Sequence, residues 1–341
     1  MITVAYVSCA DSREIHVLSL DGVNGAVKLV QRVPVVGTVM PLAIGPSRRF
    51  LYASLRSRPF SVSTFGIDPE TGTLGHLSTV PLADNMAYLS TDRTGRFLFG
   101  ASYTGDKISV NPIDREGLAH AVPAQIISTR PHPHAIIVDP SNRYLFVPSL
   151  GGDAVLQFRF DEMTGLATPN VPPAVETRKG AGPRHLIFHP HAEFAYGTNE
   201  LDATVNAYRL DAATGTLTLI GAASALPPEF EGHAPFAAAD LHITPDGRFL
   251  YASERASHTL TGFAVDVASG ALVSIGNFPT EQQPRSFNID PRGRYLLGAG
   301  QMSNSMTSYA INQGTGALTP QHRCGMGRNP NWVEIVGIPR A

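Results

Sequence analysis

A short phrase that recurs along the chain constrains its fold more than any other feature. Its clearest form is Pro245-Asp246-Gly247-Arg248-Phe249-Leu250-Tyr251-Ala252-Ser253, with relatives at 46–54, 93–102, 140–148, 190–198 and 291–299. Aligned on the aromatic residue, the repeats fall at Phe50, Phe97, Tyr144, Phe194, Phe249 and Tyr295, at spacings of 47, 47, 50, 55 and 46. A second phrase, Thr-Gly-x-Leu at its clearest, places glycines at Gly25, Gly72, Gly117, Gly165, Gly215, Gly270 and Gly316, with the same 55-residue excursion. Two markers that drift in step define an internal repeat.

Each unit reads as four strands. An apolar run such as Leu186-Ile187-Phe188 leads through a tight turn into a Phe-Leu-Tyr-Ala stretch. An alternating strand such as 205–210 follows, and a Thr-Gly turn leads to a last strand such as 217–220. No long segment has a 3.6-residue period, so helices are expected to be scarce. Repeated four-stranded units of about 40–50 residues mark a β-propeller. Residues 4–30 match the last three strands of a unit, and 330–336 match the first. The expected fold is all-β: a seven-bladed propeller, residues 1–341 as one domain, closed by the C-terminal strand joining the N-terminal blade. Such a clasp leaves no raw edge.

Composition agrees. With 43% hydrophobic residues and a formal charge of −2, the chain has core-forming capacity and no disorder signature. The balance of 26 basic and 28 acidic residues excludes a nucleic-acid binder that relies on a net basic face. Two cysteines, Cys9 and Cys324, make no disulfide framework and read as free thiols. No run of 18 apolar residues offers a membrane helix, so no membrane partner is expected. Met1–Tyr6 reads as a strand and not a signal peptide, which gives a cytoplasmic expectation.

The repeat turns sequence positions into ring positions. Ten residues before each aromatic marker, where the innermost strand begins, stand Met40, Ala87, His134, Arg184, Ala239, Arg285 and, at the last strand, Asn331. Six residues after it stand Arg56, Tyr103, Leu150, Glu200, Arg255 and Gln301, with Ala10 in the first unit. Both sets belong at one mouth of the central channel. Arg, His and Glu converging there are costly to bury unpaired, and an anionic ligand explains them.

Other features carry less. His132 and His134, on a strand, would point both rings one way, but no third ligand stands at metal spacing, so no metal is expected. Asp240 and His242 share a strand face and read as a pair. His189 and His191 flank a turn and are expected in solvent. Ser149, Gly151 and Gly152 make no Gly-x-Ser-x-Gly elbow, and no nucleotide, Walker or zincin motif occurs. The 55-residue spacing inserts Pro227–His233 on the mouth face, a candidate lid.

At these residues the chain resembles a known family, the seven-bladed-propeller 6-phosphogluconolactonases of bacteria, and beyond them the fungal carboxy-muconate lactonizing enzymes. The matching stretches are Gly180-Ala181-Gly182-Pro183-Arg184-His185, Thr198-Asn199-Glu200, 239–248 and Thr280–Arg285, and the likeness spans the whole chain. The resemblance implies a cleft of one His, two Arg and one Glu: His134, Arg184, Arg285 and Glu200. Two positions depart: Tyr88 stands where His is common, and Asn331 precedes Trp332 where Met is common.

The expected activity is hydrolysis of a sugar-acid lactone, most simply 6-phospho-D-glucono-1,5-lactone, without metal or organic cofactor. His134 or Glu200 would be the base. A carboxylate between arginines loses basicity, which favours His134. Arg184 and Arg285 would bind carboxylate, phosphate or the developing oxyanion. Arg56, Tyr103, His185, Asp240, His242, Arg255, Gln301, Asn331 and Trp332 complete the expected substrate contacts. The partner is a small anionic lactone, and a monomer is favoured. The alternatives are a muconate-type lactonizing isomerase and a non-catalytic interaction scaffold, the latter predicting an apolar or aromatic mouth with no need for converging Arg, His and Glu. A quinone- or calcium-dependent propeller enzyme lacks its acidic ligand cluster.

Overall fold

The computed structural model describes residues 2–233 and 236–339. Seven four-stranded antiparallel sheets form the blades, and no helix occurs among the described residues. Innermost strands of blades 2 to 7 are Val39–Ile44, Tyr88–Thr91, Ile137–Val138, Pro183–Phe188, Ala238–Ile243 and Ser286–Ile289. Blade 1 takes its innermost strand from the other chain end: Pro330–Ile338 pairs with Ile2–Cys9, in a register that sets Thr3 opposite Gly337 and Ser8 opposite Trp332. Successive blades touch all the way round, inner strand to inner strand except between blades 4 and 5, where the second strand of blade 4 meets the inner strand of blade 5, so the ring is closed as expected.

The hydrophobic core lies between blades, where facing sheets interdigitate. One cluster joins Val4, Tyr6 and Ile15 of blade 1 to Leu51, Phe65 and Leu74 of blade 2. Another joins Phe97 and Phe99 of blade 3 to Leu145 and Phe158 of blade 4.

Side-chain placement explains why both sequence markers recur in blade after blade. The aromatic of one blade packs on the Thr-Gly turn of the next. At Gly215, where φ is +66°, a Cβ would lie 2.1 Å from the Tyr144 ring; at Gly117, φ +82°, it would lie 2.3 Å from Phe50. Glycine is required there by conformation and by contact. Two residues beyond the marker, tyrosines seal the joint: Tyr52 donates to Gly117 O at 2.9 Å and Tyr251 to Gly316 O at 2.6 Å. A length change between blades carries both markers along because they belong to one unit, as Phe249 and Gly270 do.

The turns also have a chemical cause. Buried Asp92 and Asp139 each accept backbone N–H bonds from the residues that open the next strand, at 2.7–2.9 Å. His189 departs from expectation. It is buried rather than solvated, because Gly247 of blade 6 offers no side chain and lets the ring in; its Nε2 donates to Gly247 O at 3.1 Å. His191 stays exposed.

Candidate active site

The loops that start inner strands and those that end second strands meet at one mouth of the channel. They deliver His134 from blade 4, Arg184 and Glu200 from blade 5, Arg255 from blade 6, Arg285 from blade 7 and Arg56 from blade 2. Two β-bulges shape the centre. Register shifts occur between Pro183 and His185 and between Ala238 and Leu241. A bulge re-aims side chains and frees carbonyls from the ladder. Ala239 O is freed in this way and accepts from Arg184 Nη1 at 2.7 Å and from Thr198 Oγ1 at 3.2 Å. Hydroxyls replace lost ladder bonds: His185 N–H donates to Thr198 Oγ1 and Asp240 N–H to Ser253 Oγ.

Glu200 lies between two arginines. Its Oε2 is 2.8 Å from Arg184 Nε and its Oε1 is 2.8 Å from Arg255 Nη2. Burial pushes the carboxyl pKa up, but Arg184, Arg255 and Arg285 outweigh it and hold Glu200 below the ordinary carboxylate range. Both oxygens are spent on cations, and basicity is low.

Four arginines thus gather at the mouth, and Glu200 pairs with two of them. Arg184 is fully buried, and its Nη2 has no protein partner among the described residues. Its Nε faces Glu200 as an ion pair whose angle falls short of a hydrogen bond. Arg285 has no ion-pair or hydrogen-bond partner there, and its Nε is buried. Burial first, then Arg184 and Arg255, disfavour its charge. Arg255 is anchored on Ala237 O at 2.9 Å, and Arg56 Nε on Asn85 Oδ1. A buried, unpaired guanidinium among others is costly unless an anion completes it.

His134 is 4% exposed and has a buried Nδ1 without protein partner. Its ring sits 5.7 Å from Tyr103 and 5.2 Å from His185. Burial, then Arg184, His185 and Arg285, drive its pKa well below 6.5, so it stays neutral. His132 does not join it. With φ at +60° it turns to stack on Tyr103 at 4.4 Å, and no group of three metal-type ligands forms among the described residues.

The remaining expected contacts divide. Tyr88, His185 and Trp332 fill the channel beneath the arginines, with Tyr88 edge-on to both partners at 5.1 and 5.2 Å. His185 and Asp240 were expected against substrate; the structure spends their polar atoms on each other and on neighbours. Asn331 is fully buried, donating to Asn329 O and accepting from Ser8, and Gln301 donates to Asn329 Oδ1. His242 faces Asp240 and lines a cavity of about 40 Å³ with Trp332 and Glu334. Glu334, not foreseen from sequence, is pushed up to about 7 by burial. No spacing signal marks it, because it lies three residues beyond the ring position on an irregular last strand. A groove of about 660 Å³ on blade 7 lies elsewhere; its Glu281 is saturated by Arg323, Ser305 and Thr307.

Fold and site together define a propeller whose channel mouth gathers four arginines, Glu200 and His134. The chain belongs to the family described as lactonase, seven-bladed β-propeller, which it matches over residues 2–335. It is 41% identical over 336 residues to a 6-phosphogluconolactonase of Serratia proteamaculans, covering 98% of this chain and 99% of that one. A Pectobacterium carotovorum 6-phosphogluconolactonase is 41% identical over 99% of this chain and all of its own. Among solved structures, the periplasmic gluconolactonase PpgL of Pseudomonas aeruginosa superposes with a TM-score of 0.92 at 29% identity, over 99% of this chain and 100% of that one.

Proposed function

We propose that the chain hydrolyses 6-phospho-D-glucono-1,5-lactone to 6-phosphogluconate at this mouth. The observation that carries the reading is the pair of buried guanidinium nitrogens, Arg184 Nη2 and Arg285 Nε, left without protein acceptors among the described residues. Full-length likeness to 6-phosphogluconolactonases supports the substrate. The ion pairs of Glu200 with Arg184 and Arg255 at the mouth are a convergence that the scaffold alternative does not need.

In the proposed reaction, water attacks the lactone carbonyl carbon while neutral His134 accepts its proton. Arg184 and Arg285 stabilise the oxyanion that develops on the lactone carbonyl. The ester bond to the ring oxygen breaks, the proton passes to that oxygen, and a carboxylic acid forms that ionises in solvent. Glu200 holds Arg184 and Arg255 in place and moves no proton. Arg56 and Arg255 serve the phosphate at the rim. The closed ring of seven blades supports one domain. A phosphorylated sugar is kept by its charge in the compartment where it is made, which supports the cytoplasm.

Acid release from fresh 6-phosphogluconolactone and from unphosphorylated gluconolactone, for wild type and Arg184→Ala, tests this. A fast wild-type rate on the phosphorylated lactone, lost in the variant, is expected. Activity confined to gluconolactone would keep the chemistry and move the specificity toward that of PpgL. No rate above background on either would end the proposal.

A further inference from the structure

Arg184 has five N–H donors, and their use can be counted. Nε faces Glu200. The two on Nη1 go to Ala239 O at 2.7 Å and to His185 Nε2 at 3.1 Å. The two on Nη2 go to no protein group. The guanidinium is therefore fixed from three sides and keeps one nitrogen for a ligand.

The contact with His185 is informative because an arginine can only donate. His185 Nε2 must be a lone pair, which puts the ring proton on Nδ1. That nitrogen lies 2.9 Å from Asp240 Oδ1, an acceptor suited to it. Asp240 is fixed in turn. Its Oδ2 accepts from Ser286 Oγ at 2.8 Å and from Phe287 N–H at 3.3 Å, and Oδ1 also takes Leu241 N–H. Ser286 Oγ accepts Val333 N–H, so its own proton is committed to Asp240. The ring is held by Tyr88 at 5.1 Å, His134 at 5.2 Å and Trp332 at 5.9 Å. A chain of directed bonds runs from blade 7 through blade 6 to the arginine of blade 5.

We propose that His185 is a positioning residue for Arg184, with Asp240 fixing the tautomer that lets the ring accept from the guanidinium. His185 then neither contacts the substrate nor moves a proton. Its work is to hold Arg184 so that Nη2 is the donor left over. The inference rests on the lactonase reading of the site.

Two substitutions separate this role from others. Gln places an amide oxygen near the position of Nε2, and Asn places an amide nitrogen near that of Nδ1. His185→Gln keeps the acceptor for Arg184 and loses the bond to Asp240; His185→Asn does the reverse. With 6-phosphogluconolactone, His185→Asn is expected to lose on the order of tenfold more kcat/KM than His185→Gln, the worth of a hydrogen bond to a charged group. The pH profile of His185→Gln should keep its wild-type shape. Equal losses would overturn the proposal in favour of plain packing. Equal losses with a vanished acidic limb would overturn it in favour of a proton-transfer role. A wild type without lactonase activity would instead sink the underlying reading.

A measurement on the unmodified protein stands independently of whether the variants fold. In ¹⁵N-histidine spectra, His185, identified by its absence in either variant or by contacts to Trp332, should show a protonated Nδ1 and a bare Nε2 from pH 6 to 8. A protonated Nε2 would overturn the proposal whatever the kinetics.

Discussion

At the scale of residues, the electrostatics assign the two candidate bases. His134 is depressed by burial and by arginines, and Glu200 is held down by two ion pairs. A base must be deprotonated to act, so the acidic limb of kcat/KM should fall well below the ordinary histidine pKa of about 6.5. Initial rates between pH 4.5 and 7.5, corrected for spontaneous opening, would show it; a limb at 6.5 or above contradicts the assignment. Stability follows the same sign. His134 and His185, the latter lowered to about 4, titrate below their unfolded values. Their contribution is complete above about pH 6.5 and is lost as pH falls toward the folded pKa values. Substitution gives the complementary test. His134→Ala should cost about 10²–10⁴ in kcat, the usual worth of a general base. Glu200→Gln, which keeps an acceptor for the arginines, should cost only about tenfold; the reverse order would make Glu200 the base. The charged residues of this site were legible because the repeat fixes which positions line a ring. Their partners were not. Ala239 O enters through a bulge, Asn85 through a loop, and Tyr88 with Trp332 through packing across the channel, none of which leaves a spacing in the chain.

At the scale of elements, the glycine turn and the aromatic of the preceding blade form one joint. Gly215→Ala needs a methyl inside contact distance of Tyr144 and a side chain at φ +66°. Both strain terms add, and a destabilisation of about 2 kcal/mol or more is expected, read as a fall of several degrees in melting temperature. Activity at low temperature should survive, since the joint is remote from the channel mouth. An unchanged melting temperature would mean that the joint yields freely. Strand number and order were legible here because each turn has its own chemistry. The extent of the inner strands was less so. In blade 4 the regular strand shrinks to Ile137–Val138: Pro133 still bridges to Ser149, but the ladder breaks between them, where Pro148 of the facing strand has no N–H to give. His134 consequently enters the site from an irregular segment rather than from a strand.

At the scale of the whole molecule, closure joins two ends of the chain in one blade. The pairing of Pro330–Ile338 with Ile2–Cys9 converts the last contact of the ring from side-by-side packing into a hydrogen-bonded ladder. It also carries Asn331, Trp332 and Glu334 into the channel, so clasp and site are coupled. Deleting this strand would remove contacts as well as closure. A circular permutant isolates the closure. Ile2 and Ile338 are register partners, so a short glycine-serine linker can join the ends, and the chain can be opened at exposed Val36 between blades 1 and 2. Every blade is then continuous in sequence, and the ring is held at the cut by packing alone. All side chains of the site are retained. The permutant should keep its activity at low temperature but unfold more readily, by on the order of 2–4 kcal/mol if the clasp acts as a chain-closing crosslink. Thermal melts beside residual lactonase activity would measure both. Equal stability would show that the blade interfaces close the ring unaided. Lost activity in a stable permutant would show instead that the clasp is needed to seat Trp332 beneath the arginines.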